Sequence, residues 1–305
     1  METLLNKILK DNKHLTREGK VASYIPALKK ANQDDLGICI VDVNGNTYKA
    51  GEYNKKFTIQ SISKTISLML AIMDNGEDIV FDKIGMEPTG DAFNSMVKLE
   101  MISPSKPLNP MINAGAIAVA SLIKGKNADE KFERLLNLFR KISNNNKLNI
   151  NKEAYLSEKE TGDRNRALAY FMKDVGIFDG NVEEILDVYF RQCAIEVNSI
   201  DIANIGLFLA NRGQIPKTRE KVTTESIAKT VKTFMITCGM YNESGQFAIE
   251  VGIPAKSGVG GGIMASVPNE MGIGVFGPAL NEKGNSIAGY GVLKDLSDKL
   301  NLSIF

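Results

Sequence analysis

The sequence contains a single histidine, His14, and no tryptophan among its 305 residues. His14 lies in the charged N-terminal stretch METLLNKILKDNKHLTREGK. A Ser-His-Asp triad or a Cys-His pair would therefore depend on this one residue. A histidine-based metal site would have no second histidine. These absences favour a chemistry in which another side chain acts as the base, and a desolvated lysine is a common substitute.

The sequence is also poor in cysteine, with Cys39, Cys193 and Cys238 scattered along the chain in apolar surroundings. We expect them to be reduced thiols in the core of a cytosolic protein. No histidine lies near any of them in the sequence to lower its pKa, so none is expected to be a nucleophile.

Neither charge sign dominates, because 37 Lys and Arg residues face 36 Asp and Glu residues, for a net charge of +1. This balance gives no electrostatic reason to expect nucleic acid or an anionic membrane as a partner. No uninterrupted apolar run is long enough to span a bilayer. The first twenty residues have no apolar core of the kind that secretory signals carry, and we expect a cytoplasmic protein.

Strand patterns occur at the two ends of the chain, and helical patterns lie between them. Residues 36–52 predict a hairpin that turns at Asn44-Gly45, and residues 247–280 predict three further strands with Gly-rich and Pro-Asn turns. Residues 2–30 predict one or two helices broken at Pro26. We therefore predict an α+β fold in which the hairpin and the late strands form one antiparallel sheet flanked by helices.

The predicted division of the chain follows from this pattern. Residues 1–62 and 222–305 would form an α/β sandwich subdomain, and residues 63–221 would form an all-helical subdomain. The active site would lie in the cleft between the two.

A candidate nucleophile and base stand in FTIQSISKT, where Ser61 precedes Lys64 by three residues. Five Ser-x-x-Lys matches occur, beginning at Ser61, Ser95, Ser103, Ser121 and Ser226, so the pattern alone is weak. Ser61 is distinguished by its context, since an extended lead-in precedes it and an apolar helix follows. Residues three apart on a helix share a face, and burial of the lysine would favour its neutral form.

A second motif is PAKSGVGGG, in which Lys256-Ser257-Gly258 ends a predicted strand. Such a Lys-Ser/Thr-Gly strand facing a Ser-x-x-Lys helix is the arrangement of serine β-lactamases and penicillin-binding proteins. The strand edge would offer a backbone N–H to an oxyanion. The alternative is a glycine-rich hairpin with no chemistry.

Taken in order along the chain, several motifs resemble the serine-dependent, β-lactamase-like glutaminase family. The resemblance runs from about Tyr24 to the C-terminus, through YIPAL, FTIQSISK, EPTGDAFNS, NPMINAGAI, SEKETGDRNRALA, YFRQC, TCGMY and PAKSGVGGGI. It implies a β-lactamase-like fold and hydrolysis of L-glutamine to L-glutamate and ammonia. It implies no metal and no organic cofactor, and we expect a homodimer or homotetramer.

The resemblance also implies roles for individual residues. Ser61 would be the nucleophile, Lys64 its base and Tyr241 a proton relay, with the N–H groups of Ser61 and Val259 holding the oxyanion. The substrate contacts would be Tyr24, Gln60, Asn113, Glu158, Asn165, Tyr189 and Val259.

Simpler roles remain open for several of these residues. Asn113 is also suited to cap a helix, Tyr189 to fill a core, and Glu158 to lie solvated in a first helical turn. Glu158 and Asn165 would share a face on one helix, or the intervening Gly162 would place them on a loop and a following helix. Two other functions also remain open, namely a β-lactam-interacting serine enzyme and a non-catalytic binding protein of the same fold.

Overall fold

Six of the seven strands in the described residues lie toward the two ends of the chain, as the sequence pattern predicts; the seventh, at Glu196–Val197, falls within residues 63–221, which were predicted to be all-helical. The computed structural model describes residues 1–23, 25–97, 99 and 105–305. Its strands are β1 (Gly37–Asp42), β2 (Thr47–Gly51), β3 (Phe57–Thr58), β4 (Glu196–Val197), β5 (Ala255–Ser257), β6 (Gly262–Val267) and β7 (Met271–Phe276). Its α-helices are α1 (Glu2–Asn12), α2 (Ser63–Asn75), α3 (Glu77–Lys83), α4 (Asn113–Leu122), α5 (Ala128–Ser143), α6 (Lys152–Glu160), α7 (Asp163–Asp174), α8 (Val182–Cys193), α9 (Ser199–Ala210), α10 (Glu225–Cys238), α11 (Ser244–Glu250) and α12 (Ile287–Leu300).

Five of these strands form one antiparallel sheet in the order β2-β1-β7-β6-β5. The central strand β7 joins the two ends of the chain, because Val275 pairs with Ile38 on one side and with Ile263 on the other. The predicted joining of the early hairpin to the late strands is thereby confirmed, and so is the α+β class.

The β1–β2 hairpin turns at Asn44-Gly45, as predicted. The Asp42 carboxylate accepts hydrogen bonds from the backbone N–H groups of Asn44 and Asn46, each at 2.9 Å. Gly45 has φ +86°, a conformation that costs glycine nothing and that other residues avoid. The hairpin register therefore follows from local turn chemistry.

Alternate residues of β1 face two different cores. Ile38 and Ile40 are fully buried against α1 and α12, where Leu5 and Leu293 also lie. Burial of each such side chain stabilises the fold by roughly 1.5–3 kcal/mol. Helices near both termini thus cover one face of the sheet.

Helix α9 covers the opposite face, where Cys39 contacts Ala203 and Leu207. The helix rests directly on the strand backbones: a Cβ at Gly206 would lie 2.3 Å from Ala265 O, and one at Gly272 would lie 2.0 Å from Ala203 O. The sequence analysis did not assign α9 this position, because an apolar helical pattern indicates burial without indicating against what.

Most of the remaining helices pack around α2. Residues Ser63–Ile72 of α2 are buried without exception, and Ile66, Ile117 and Phe139 belong to the same core. Helix α2 ends at Gly76, whose φ of +88° turns the chain away while its N–H donates to Ile72 O at 2.7 Å. This helical packing surrounds the residues that follow Ser61.

The N-terminal region departs from the prediction. Helix α1 ends at Asn12 and a 3₁₀ turn follows at Lys13–Arg17. Pro26 opens a second 3₁₀ turn, Pro26–Lys30, rather than breaking a helix. Proline suits a first helical position because its missing N–H is not needed there.

Candidate active site

Ser61 lies where an extended segment turns abruptly into a helix. Strand β3 pairs with β4, and the N–H of Ile59 donates to Ile195 O at 2.8 Å. Gln60 then adopts φ +49°, a left-handed conformation that is costly for a residue other than glycine. A 3₁₀ turn, Gln60–Ile62, leads directly into α2. This geometry places Ser61 at the edge of a pocket with 7% of its surface exposed.

Lys64 lies one helical turn further on and is fully buried. Its Nζ donates to Asn113 Oδ1 at 2.7 Å and to Met111 O at 3.1 Å. Within the described part of the chain, no hydrogen bond joins it to Ser61. Burial disfavours the ammonium form and lowers the pKa of Lys64 to about 8, against smaller opposing effects of Cys193 and Glu158. A lysine with this pKa has a substantial neutral fraction near neutral pH.

Asn113 connects this lysine to a second helix. It is the first residue of α4, and its Nδ2 donates to Asn165 Oδ1 at 3.0 Å. The N-cap of α4 is Ile112, so Asn113 is not the helix cap that the sequence also allowed. A hydrogen-bonded chain therefore runs from Lys64 through Asn113 to Asn165.

Glu158 and Asn165 stand on two successive helices, the last turn of α6 and the first turn of α7. Gly162 separates these helices, so the structure has neither of the two placements that the sequence left open: the residues do not share one helix, and Glu158 does not lie on a loop. A Cβ at Gly162 would lie 2.6 Å from Phe190 Cζ, so the close turn requires glycine.

The carboxyl group of Glu158 is buried, with the residue 8% exposed, and its Oε2 has no hydrogen-bond partner among the described residues. Burial raises the pKa of Glu158 to about 8, while a hydrogen bond from Gln60 and the charge of Lys64 act in the opposite direction. A buried carboxyl with an unpartnered oxygen is suited to receive a cationic group from a ligand.

Tyr241 approaches Ser61 from the other side. It opens a 3₁₀ turn after α10 with φ +53°, the second left-handed non-glycine residue at the site. Its hydroxyl is buried, and no described residue offers it a partner at both the distance and the angle of a hydrogen bond. Burial raises the pKa of Tyr241, and the Ser61 side chain and the Val259 backbone lie near enough to lower it partly.

Val259 lies in the turn between β5 and β6, which presses against the segment leading to Ser61. A Cβ at Gly258 would lie 2.7 Å from Ile59 O, and one at Gly260 would lie 2.3 Å from Thr58 O. The glycines of the motif therefore permit this close approach. They bring this turn against residues 58–60, which immediately precede the candidate nucleophile.

The pocket at Ser61 has a volume of about 100 Å³. Of the residues that the sequence analysis selected, it is lined by Gln60, Ser61, Asn113, Glu158, Asn165 and Tyr189. Lys64, Tyr241 and Val259 are not among the lining residues, but the Tyr241 hydroxyl lies near the Ser61 side chain and the Val259 backbone. The predicted contact Tyr24 lies outside the described residues.

The sequence analysis did not select seven further residues that line the pocket, namely Ile25, Phe93, Asn94, Thr161, Gly162, Arg164 and Cys193. The Phe93 ring lies 5.0 Å from the Tyr241 ring, and Arg164 Nε donates to Asn94 O at 2.8 Å. Arg164 directly precedes the selected residue Asn165, and this adjacency could have identified it as a lining residue. Phe93 carried no signal beyond its place in EPTGDAFNS.

The serines of the other Ser-x-x-Lys matches do not line this pocket where the structure describes them. Ser226 is exposed on α10, and Ser121 lies at the end of α4 with its Oγ donating to Ala118 O at 2.7 Å. Ser95 is in an irregular segment, and Ser103 lies outside the described residues. Among the described matches, Ser61 alone lines the pocket, and Ser95 directly follows the lining residue Asn94.

The three cysteines are buried and unpaired, as expected. Cys193 adjoins the pocket, but burial raises its pKa and keeps the thiol protonated. Across residues 1–23, 25–97, 99 and 105–305, no group of three or more His, Cys, Asp or Glu side chains could hold a metal ion. Over the same ranges, no helix has both the length and the apolar character needed to cross a membrane.

Comparison with known proteins adds independent information. A family model described as Glutaminase matches residues 19–305. Among relatives, "Glutaminase 2" of Clostridium perfringens is 58% identical over 100% of both chains, and "Glutaminase" of Clostridioides difficile is 59% identical over 100% of this chain and 98% of its own. A Bacillus subtilis probable glutaminase complexed with 6-diazo-5-oxo-L-norleucine is 42% identical, with a TM-score of 0.91 over 100% of this chain and 96% of that one.

Proposed function

Because this chain belongs to the glutaminase family, we propose that its pocket binds L-glutamine and that Ser61 and Lys64 hydrolyse the side-chain amide to L-glutamate and ammonia. The observation that carries this proposal is the burial of Lys64 one helical turn from Ser61, with a pKa lowered to about 8. Such a lysine can accept a proton near neutral pH, which an exposed lysine rarely does.

The first half of the reaction acylates the enzyme. Ser61 Oγ attacks the amide carbon of glutamine, and neutral Lys64 takes the hydroxyl proton. The N–H groups of Ser61 and Val259 stabilise the oxyanion that forms. Tyr241 gives its phenol proton to the leaving nitrogen and takes back the proton held by Lys64, so Lys64 is neutral again. The C–N bond breaks, and ammonia departs from a γ-glutamyl ester of Ser61.

The second half reverses the roles of the same groups. Water attacks the ester carbon while Lys64 accepts a proton from it. The ester C–O bond then breaks, Ser61 regains its proton, and glutamate is released. Every proton transfer is assigned to a protein side chain, so the proposed reaction requires neither a metal nor an organic cofactor.

The substrate is held through its amino-acid end. The carboxylate form of Glu158 pairs with the α-ammonium group, since its Oε2 lacks a partner and lies at the pocket. Asn113, Asn165 and Tyr189 donate to the α-carboxylate without adding net charge. Gln60 and Tyr24 complete the proposed set of contacts.

A coupled assay of ammonia release tests the proposal. The wild-type chain is expected to release ammonia from L-glutamine, and the Ser61→Ala chain is expected to release it at least about 10³-fold more slowly. A Ser61→Ala rate within about tenfold of wild type would overturn the assignment of the nucleophile. Turnover of nitrocefin in place of glutamine would instead support a β-lactam-interacting enzyme.

We also propose that the enzyme acts in the cytoplasm. Its three buried, unpaired cysteines support this placement, because thiols persist in a reducing compartment. Assembly into a homodimer or homotetramer stays a prediction, and sedimentation analysis of the purified chain would measure it.

A further inference from the structure

Hydrogen bonds from two side chains and from strand β5 hold the backbone around Tyr241. Gly239 O accepts from the N–H of Ser257 at 3.1 Å, and Met240 O accepts from Asn285 Nδ2 at 3.0 Å. Ser244 Oγ accepts from the N–H of Met240 at 3.0 Å and donates to Tyr241 O at 2.9 Å. Each residue of the Gly239–Tyr241 segment, which we call the corner, therefore has a backbone group hydrogen-bonded to another part of the chain.

Lys256 is the side chain that contacts both this corner and the Tyr241 ring. It lies in β5 and is fully buried. Its Nζ donates to Gly239 O at 3.0 Å and to Ser257 O at 2.8 Å. The same nitrogen lies 4.5 Å from the centroid of the Tyr241 ring, so the amine faces the ring.

A lysine at this position is energetically expensive. Burial and the nearby charge of Lys64 lower the pKa of Lys256 far below its usual value, with a smaller opposite effect of Cys238. An unbranched apolar side chain of similar length would fill the same space without any desolvation penalty. Packing alone therefore does not account for the amine.

Lys256 also does not contact the substrate directly. It is absent from the pocket lining, where Ser61 and Glu158 lie. Its two hydrogen bonds go to backbone carbonyls, and its nitrogen faces the ring of Tyr241. Lys256 thus has two routes to the reacting groups, the Tyr241 ring that it faces and the charge of Lys64, and the ring is the direct contact.

We propose that Lys256 is a positioning residue that holds the phenol of Tyr241 against Ser61, by fixing the Gly239 carbonyl and by lying over the tyrosine ring. This inference rests on the proposed role of Tyr241 as the proton relay. Tyr241 has a left-handed φ of +53°. A backbone strained in this way relaxes unless its surroundings hold it, and the contacts of Lys256 help to hold it.

A double-mutant cycle tests the inference. Lys256→Met removes the amine and keeps the side-chain length, and Tyr241→Phe removes the hydroxyl that the lysine is proposed to position. We expect Lys256→Met to lower kcat by about 10- to 100-fold, because a misplaced catalytic group has effects of this order. Its KM should stay within about twofold of wild type, since no substrate contact is lost.

The decisive variant carries both substitutions. If Lys256 acts through Tyr241, the double variant has the kcat of Tyr241→Phe alone, because the lysine then has no hydroxyl to position. Lys83→Met is the matched control: Lys83 Nζ also donates to a backbone carbonyl, Ile177 O at 2.8 Å, but Lys83 does not line the pocket. It should retain wild-type kcat.

Each contrary outcome has a distinct meaning. Multiplicative losses of kcat in the double variant, or wild-type kcat in Lys256→Met, would overturn the positioning role and leave the proposed function intact. Wild-type kcat in Tyr241→Phe would overturn both the proton relay and this inference. If Lys256→Met fails to fold by circular dichroism, Lys256→Gln replaces it in the cycle, since glutamine keeps an N–H donor for Gly239 O.

Discussion

Lys64 Nζ donates its shortest hydrogen bond, 2.7 Å, to Asn113 Oδ1. Asn113 in turn donates to Asn165, so the proposed base is connected to the residues proposed to bind the α-carboxylate. If these residues bind the α-carboxylate as proposed, its binding and the protonation of Lys64 are coupled through one amide side chain. This coupling leads to the first prediction.

Asn113→Asp should move the acidic limb of the kcat/KM pH profile upward by about one unit or more, because a carboxylate beside Lys64 favours its ammonium form. The pKa of Lys64, lowered to about 8 by burial, would rise, and the neutral base would be available only at higher pH. Asn75→Asp near the far end of the same helix α2 serves as the control. An unchanged profile in Asn113→Asp would contradict the assignment of Lys64 as the base.

Lys64→Met should lower kcat by at least about 10³-fold while the protein stays folded, because nucleophile and base act as a unit. Methionine fills the buried volume without leaving a charge, so the thermal midpoint should not fall greatly. The double variant Ser61→Ala/Lys64→Met should be no slower than either single variant. Ser226→Ala, in the look-alike SIAKT, is the matched control and should keep wild-type activity.

A diazoketone analogue of glutamine should label Ser61 and none of the three cysteines. Burial raises the pKa of Cys39 to about 12 and raises that of Cys193 and Cys238 as well, so little thiolate exists to react. Peptide mass mapping after labelling identifies the modified residue. Label on a cysteine would show that the nucleophile has been misassigned.

Glu158→Gln should make the ligand-free protein more stable than wild type at about pH 8, and the difference should vanish near about pH 4. The pKa of Glu158 is raised from 4.5 to about 8 in the folded chain. Below pH 4.5, Glu158 is protonated in both the folded and the unfolded chain. Between pH 4.5 and about pH 8, it ionises in the unfolded chain and stays largely protonated in the folded chain. The wild-type penalty therefore grows between these two values, by at least about 1 kcal/mol.

Urea unfolding of both proteins at several pH values measures this effect. A pH-independent difference between them would mean that Glu158 is not a buried neutral acid in the free protein. The same property predicts that KM for glutamine rises as pH falls below about 8, because pairing with the α-ammonium requires the carboxylate.

Gly239→Ala should destabilise the fold by about 3 kcal/mol or more, because its Cβ would lie 1.8 Å from Ala255 O and the strand would have to shift. Gly245→Ala is the contrasting control: nothing lies within 4 Å of its Cβ, and it stands in α11. There alanine should stabilise the helix by up to about 1 kcal/mol. Equal thermal midpoints for the two variants would contradict the contact at Gly239.

The sequence predicts well what depends on local chemistry. The Asn44-Gly45 turn, the strands around the Gly258–Gly262 turn, and the helix after Ser61 all follow from residue type and periodicity. The clustering of Glu158 and Asn165 near Ser61 did not follow from spacing, and came from the family resemblance. The division into residues 63–221 and the remainder stays a prediction.

The sequence analysis did not predict backbone conformations and packing contacts that depend on residues far apart in the chain. The left-handed backbone of Gln60 and Tyr241 cannot be read from their residue types, because neither is a turn former. The packing of α9 on the sheet depends on Gly206 and Gly272 meeting backbones far away in the sequence. Lys256 was singled out by its motif, but its contact with Tyr241 depends on how α10 meets β5.

The pairing of β1 with β7 joins residues as far apart in the sequence as Gly37 and Phe276. A nascent chain on the ribosome thus carries an unpaired β1 edge until nearly all of the protein has been synthesised. Contacts between residues this far apart in the sequence form slowly, and an unpaired strand edge can pair with another chain. Truncated products that lack β7 should therefore aggregate rather than show partial activity, so the activity is acquired only when the last strands have emerged.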